Sequence, residues 1–186
     1  MVSIKKVGEI EPAPLELLGE PLVWFFAEHY RHRDMCKRLL QLIDTVEFDR
    51  SALNAILEFL ECDLPIHIID EEDDLFPLMR RRCESNDHIE NVLGFLSGEH
   101  ASDTHDASAV KCVIAKAISE KQGLGCYSES RLVIEQFCTG LKKHIAVENA
   151  VVLPVARVRL SETDLRNLGR RLAARRGLPD PFPEAS

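Results

Sequence analysis

Two segments of the chain carry the same three residue types at the same spacing. Segment 67–77 has a histidine, a glutamate four residues later and a proline ten residues later, and segment 144–154 repeats all three, 77 residues further along. A helix turns about 100° per residue, so a side chain four positions on lies roughly 40° from the first. Each segment therefore presents one imidazole and one carboxylate to the same neighbour. The repeated residues are His67, Glu71 and Pro77, and then His144, Glu148 and Pro154.

An imidazole and a carboxylate together on the inner face of a helix indicate a bound cation. Burying an unpaired carboxylate in an apolar core is expensive, and a cation between the two segments removes that cost. A lone histidine on the helix before each segment extends the set to four imidazoles and two carboxylates. The predicted metal ligands are His29, His67, Glu71, His100, His144 and Glu148.

This set of ligands favours some metals over others. Six ligands are too many for a structural zinc ion, which takes four in a tetrahedron. The set is too rich in nitrogen for magnesium or calcium, which prefer oxygen. Two transition ions that share bridging carboxylates account for all six ligands, and iron is the favoured pair. Ferritin-like di-iron proteins use Glu-x-x-His, so the order and spacing here argue against that family.

The elements that must position these residues are helices. The histidines fall in segments with helical periodicity, and no strand pattern competes with them, which predicts an all-α fold. Two helical hairpins, each ending in the repeated motif, predict an antiparallel up-down four-helix bundle with a short fifth C-terminal helix. We expect a kink at Pro65 and a weakened third helix at Gly94 and Gly98. Residues 161–164 resemble a capping box that opens the fifth helix.

The predicted boundaries divide the chain into three parts. The four helices are expected at about 20–46, from a cap at 49 or 51 to about 83, at 87–120, and from about 128 onwards. The fifth helix is expected to end at Gly177. The parts are an extended N-terminal arm at 1–19, the bundle at 20–156, and an Arg-rich helix with a Pro-rich tail at 157–186.

Composition argues against several classes of protein. The formal net charge of -8 makes nucleic acid and anionic membranes poor partners. Residues 1–14 hold no apolar export signal, and the apolar run at 22–27 is too short to cross a bilayer. Six cysteines without a CxxC pair do not indicate a zinc ribbon or a dithiol redox site. We therefore expect a cytoplasmic protein.

The order His…His-x3-Glu-Glu-x2-Leu-Phe-Pro…Glu-His…His-x3-Glu resembles the hemerythrin-like, or HHE cation-binding, domain over about 20–156. The pairs Glu28-His29 and Glu99-His100 look like the lone-histidine positions of that family. The resemblance implies a non-haem di-iron centre in a four-helix bundle, with the two carboxylates bridging the irons. It also implies binding of oxygen or nitric oxide, sensing of redox state or iron, or repair of iron centres.

Two departures separate this chain from the hemerythrins proper. Those proteins have a second histidine four residues after the lone histidine of the third helix, where this chain has Thr104. His105 lies about 140° from His100 on a regular helix and could enter the site only through a π-bulge. The last motif is His-x3-Glu, where oxygen carriers have His-x4-Asp. Both differences indicate the broader HHE class.

Several polar residues beside the motifs have two interpretations. His32 is a candidate fifth imidazole, and its alternative is a solvated residue or one that orients a ligand. Asp74 and Asp103 could orient ligating rings, but surface placement is favoured, as it is for the pair 72–73. The arginines of the fifth-helix region are expected to form a solvated face, with docking to an acidic partner or another subunit as the alternative. They are Arg157, Arg159, Arg166, Arg170, Arg171, Arg175 and Arg176.

The sequence thus predicts a cytoplasmic di-iron protein that binds a diatomic ligand, O2 or NO, or senses redox or iron state. No general acid, nucleophile or substrate pocket is evident, so catalysis is not expected. One alternative is an oxidase or peroxidase-like enzyme that uses the same centre. The other is a helical interaction module with incidental metal, whose Arg-rich C-terminal helix contacts a protein partner or a second copy.

Overall fold

The computed structural model describes residues 10–182 and confirms the all-α prediction, because no strand occurs among them. Helix α1 is Pro21–Leu42, α2 covers residues 50–82, α3 is Ile89–Glu120, α4 covers residues 128–159, and α5 is Glu162–Arg175. Residues 1–9 of the predicted arm lie outside the described residues, and its last five residues form a 3-10 turn, Leu15–Gly19. The capping box is present, with Ser161 Oγ accepting from the Asp164 amide at 3.2 Å.

Two apolar clusters show that successive helices run in opposite directions. One cluster joins the end of α1, the start of α2, the end of α3 and the start of α4. The other joins the start of α1, the end of α2, the start of α3 and the end of α4, and it also takes in α5. Representative members are Leu39, Ile56, Ile114 and Ile134 in the first, and Phe25, Phe76, Leu93 and Leu153 in the second. The bundle is therefore up-down and antiparallel, and polar side chains from the middle of all four helices are buried between the clusters.

The kink expected at Pro65 is a stretch of π-helix, and the same feature accompanies both prolines of the repeat. The π-helical stretches are Phe59–Asp63, Asp70–Leu75 and Glu148–Val152, and each ends two residues before a proline. Proline has no N–H and its ring clashes with the carbonyl oxygen four residues earlier, and a wider turn accommodates both effects. Two of these stretches contain the glutamates of the motifs, so the prolines shape the backbone that carries those carboxylates.

The loops between helices explain two glycines, Gly123 and Gly125, that the sequence indicated only as a break. Helix α1 ends at Leu42 rather than near 46, and the α1–α2 loop packs against the α3–α4 loop. A β carbon at Gly125 would lie 2.5 Å from the Thr45 carbonyl oxygen, and one at Gly123 would lie 2.5 Å from that of Glu47. By contrast, α3 continues without interruption through Gly94 and Gly98, which are exposed.

Helix α5 is held on the bundle by ion pairs to α2. Arg175 and Arg176 both contact the carboxylate of Asp70, which is completely buried. Arg171 and Arg175 contact Asp74 at 2.9 and 2.7 Å. The expected surface placement of Asp74 is therefore wrong, and so is the expected solvated placement of Arg175 and Arg176, which are 24% and 15% exposed. Arg171 is 66% exposed, as expected for a solvated face.

These ion pairs predict a large effect on stability. Removing both guanidinium groups with Arg175→Met and Arg176→Met leaves the buried carboxylate of Asp70 unpaired, which we expect to cost about 3–5 kcal/mol of unfolding free energy. Urea denaturation measures the change. The matched control is Arg170→Met, because Arg170 pairs with Asp180 at an exposed position and should matter by less than about 1 kcal/mol. Equal losses in the two variants would contradict this interpretation of α5.

Candidate metal centre

The six predicted ligands come together in the buried polar layer between the two apolar clusters. Helices α1 and α3 each contribute one histidine, and α2 and α4 each contribute a histidine and a glutamate one turn apart. None of the six side chains is more than 3% exposed. They are His29, His67, Glu71, His100, His144 and Glu148.

The two carboxylates lie between the imidazoles of both hairpins. Glu71 Oε1 is 3.4 Å from His29 Nε2, whereas its Oε2 is 3.4 Å from His67 Nε2 and 3.2 Å from His100 Nε2. Glu148 has the matching position, with Oε2 at 3.4 Å from His29 Nε2 and Oε1 at 3.4 Å from His100 Nε2. Each carboxylate therefore has one oxygen near His29, the lone histidine of the first hairpin, and the other oxygen near His100, the lone histidine of the second.

The ligand atoms form two groups that fit a pair of metal ions. The atoms within each group lie within 4.8 Å of one another, and Glu148 belongs to both groups. Many of these buried atoms have no hydrogen-bond partner, including Nε2 of His67 and His144 and both oxygens of Glu148. Buried polar atoms are normally satisfied, so converging lone pairs of this kind fit a cation. The groups are His29, His67, Glu71 and Glu148, and then His100, His144 and Glu148.

The other ring nitrogen of each lone histidine contacts the residue that follows a motif glutamate. His29 Nδ1 donates to Asn149 Oδ1 at 2.8 Å, and His100 Nδ1 donates to Glu72 Oε1 at 2.6 Å. These bonds hold a proton on Nδ1, so Nε2 is the atom that each ring would offer to a metal ion. Glu72 is 29% exposed, so it is not the fully solvated residue that was expected, and the contact of Asn149 was not predicted.

Asp103 also contacts the ring of a predicted ligand histidine. Its Oδ2 lies 2.5 Å from His144 Nδ1, and the side chain is 2% exposed. The favoured surface placement of Asp103 is therefore wrong. The residue lies one helical turn after His100, which turns it towards the neighbouring helix α4.

The two candidates for a further imidazole differ. His32 is fully buried, its Nδ1 donates to the Glu28 carbonyl oxygen at 2.7 Å, and its ring centroid is 4.4 Å from that of His67. It lies beside the ligands but in neither of the two groups. His105 is exposed on the uninterrupted helix α3, and no π-bulge turns it inwards.

Charge in the metal-free centre is balanced by protons on imidazoles. Burial alone would lower the pKa of His100, but the carboxylates of Glu148 and Glu71 outweigh it and raise that pKa to about 11. The pKa of His29 is raised in the same way, against the effect of burial. Burial lowers the pKa of His67 well below its ordinary value and that of His32 to about 3. A metal ion must therefore displace protons, so its affinity should fall with decreasing pH.

The raised pKa of His100 predicts how the stability of the metal-free protein depends on pH. A protonated group with a raised folded-state pKa contributes stability that is complete below the unfolded value of 6.5 and disappears as the pH rises through about 11. We expect metal-free protein to lose up to about 1.4 kcal/mol per pH unit from this group between pH 7 and 10. Urea denaturation at both pH values measures it. His100→Asn is the control that should flatten this dependence, and an unchanged slope in that variant would contradict the assignment.

Across residues 10–182, we find no helix with both the length and the apolar composition needed to cross a bilayer.

Comparisons with known proteins agree with the geometry. The family model of the hemerythrin HHE cation binding domain matches residues 21–156, well over half of the chain. An uncharacterized protein of Haemophilus influenzae is 27% identical over 174 residues, which cover 90% of this chain and 96% of that protein. The family match and the two buried groups of histidine and glutamate together indicate a metal-binding protein, with iron as the metal typical of the family. This chain belongs to the hemerythrin HHE cation-binding domain family.

Proposed function

We propose that the protein holds a non-haem di-iron centre, with His29, His67, Glu71, His100, His144 and Glu148 as the ligands. The observation that supports this most strongly is the position of Glu71 and Glu148. Each carboxylate has oxygens within 3.4 Å of the Nε2 atoms of both His29 and His100, which belong to different groups. Carboxylates placed in this way can bridge two ions.

The chemistry of the ligand atoms supports iron for both ions. Imidazole nitrogen together with carboxylate oxygen suits iron, whereas magnesium and calcium prefer oxygen alone. Among the described residues, no cysteine belongs to either group of ligands, so the softer thiolate sites typical of structural zinc are not formed here.

We further propose that the centre binds a diatomic ligand, O2 or NO, or reports redox or iron state through it. When bound and reduced, the iron pair would supply electrons and an open coordination position to such a ligand. The ligands are almost completely buried, and aromatic rings flank them: Phe76 stacks on His100 at 5.7 Å, and Phe25 lies edge-on to His67 at 6.1 Å. This enclosure favours a ligand of two atoms over a larger substrate.

Gas titration of the reduced, iron-loaded protein tests the proposal. We expect one equivalent of O2 or NO per iron pair to change the visible absorption spectrum. Removing the gas should restore the starting spectrum. Glu71→Ala, which should not retain the pair, is the control and should show no such change. A loaded protein that responds to neither gas would contradict the proposal. Sustained consumption of peroxide or O2 with a reductant would instead identify an oxidase or peroxidase-like enzyme.

A further inference from the structure

The internal symmetry of the centre extends beyond the ligands to the residues that contact them. Glu72 and Asn149 each follow a motif glutamate and lie 77 positions apart. Each contacts the Nδ1 atom of the lone histidine in the other hairpin, at 2.6 Å for Glu72 with His100 and 2.8 Å for Asn149 with His29. The two positions are therefore equivalent in geometry but not in charge.

A second equivalent pair lies three residues after each lone histidine. Asp103 Oδ2 is 2.5 Å from His144 Nδ1, and His32 occupies the corresponding place beside His67, with ring centroids 4.4 Å apart. Because His32 Nδ1 donates to a carbonyl oxygen, its Nε2 carries the lone pair and is buried without a partner. His67 Nδ1 is also buried without a partner, so the two rings contact each other without a hydrogen bond between them.

The surroundings of the two metal positions therefore differ by two negative charges. Carboxylates, Glu72 and Asp103, contact the rings of His100 and His144. The amide of Asn149 and the imidazole of His32, neither of them a carboxylate, lie against the rings of His29 and His67.

Other buried carboxylates do not cancel this difference. Glu28 lies next to His29 in α1, but Arg31 pairs with it at 2.8 Å. Asp70 lies between His67 and Glu71 in α2, but Arg175 and Arg176 pair with it. The carboxylates that contact ligand rings and have no arginine partner, Glu72 and Asp103, are therefore both on the side of His100 and His144.

A carboxylate on the far nitrogen of a ligating imidazole makes the ring a stronger donor and stabilises positive charge on the metal. Asp103 is 2% exposed, so the effect of its charge is only weakly screened, whereas Glu72 is 29% exposed and acts through its direct contact with the His100 ring. Building on the proposed di-iron function, we propose that Glu72 and Asp103 are positioning residues that make the two irons inequivalent. With iron bound, the carboxylates of Glu72 and Asp103 would favour the ferric state at the position of His100 and His144 over the position of His29 and His67.

Potentiometric titration of the iron-loaded protein tests this inference. An outer-sphere oxidant such as ferricyanide removes one electron at a time, without transfer of atoms. We expect two resolved one-electron steps in the wild type. Glu72→Gln keeps an acceptor for His100 Nδ1 but removes the charge, so it should raise the lower of the two potentials. The expected change is at least tenfold in the oxidation equilibrium, or about 59 mV for one electron. Asp103→Asn should shift the same step.

Asn149→Asp is the matched variant, because it adds a carboxylate beside His29. It should lower the higher potential and bring the two steps together. If Glu72→Gln moves mainly the higher potential, or if all three variants move both steps equally, the inference is wrong.

Iron content separates this result from the proposed function. A wild type without two irons contradicts the di-iron proposal itself. Two irons with a single two-electron step in the wild type contradict only their inequivalence. Mössbauer spectra of the singly oxidised protein should show one ferrous and one ferric component, and two identical components would also overturn the inference.

Discussion

Replacing Glu71 with alanine is expected to abolish binding of both metal ions, whereas replacing His100 should weaken mainly one. The reason is geometric: the oxygens of Glu71 face His29, His67 and His100, whereas His100 offers a single ligand atom. Residues that merely support metal ligands are typically worth about 10–100-fold in affinity, so loss of a bridging carboxylate should exceed about 100-fold. Metal content per chain and the absorption of the oxidised pair measure the difference.

The matched control for this prediction is Asp73→Ala, which removes an exposed carboxylate two residues further along the same helix. It should leave the metal content unchanged. Glu148→Ala should behave like Glu71→Ala, because the two glutamates occupy equivalent positions in the repeat. If Glu148→Ala retained two irons and an unchanged spectrum, Glu148 would only support the ligands and would not bridge.

Removing the metal is expected to lower the free energy of unfolding substantially. The centre leaves several buried nitrogen and oxygen atoms without hydrogen bonds, and each such group costs about 1–3 kcal/mol. A net loss of about 5 kcal/mol corresponds to a fall in melting temperature of about 10–20 °C for a chain of this length. Thermal unfolding before and after treatment with a chelator measures it.

Amide hydrogen exchange should locate this destabilisation. Protection should fall most around His67 and His144, in the middle of α2 and α4, and least at the opposite ends of those helices, where the apolar clusters are undisturbed. Reloading with ferrous iron under anaerobic conditions should restore both the melting temperature and the protection. A metal-free protein with the same melting temperature and the same exchange pattern would contradict the coupling between metal and fold.

The predictable part of the site is the part that repeats within the sequence. His67 and Glu71 lie one turn apart on one helix, so local periodicity alone places them on a common face, and their counterparts 77 residues later complete the site. The contacts of Glu72 and Asn149 with ligand rings were not predicted, and that of Asp103 was only the less favoured interpretation, because each of these residues touches a histidine on another helix. The same offset from Glu72 leads to Asn149, and this signal in the sequence could have found that position.

Other features depended on packing that spacing does not reveal. Pro65 predicted a disturbance of α2, but whether the helix kinks or widens into a π-helical stretch depends on the surrounding bundle. Arg175 and Arg176 lie about 105 residues from Asp70, so nothing local distinguished them from solvated arginines. The fold class could be derived from helical periodicity, whereas the docking of α5 could not.

Elemental analysis of the purified protein tests the central claim most directly. Two groups of ligands that share a carboxylate predict two metal ions per chain, and their mixture of imidazole and carboxylate predicts that both are iron when iron is available during expression. We expect two irons per chain, and a single zinc ion, or no metal above trace, would contradict the di-iron centre.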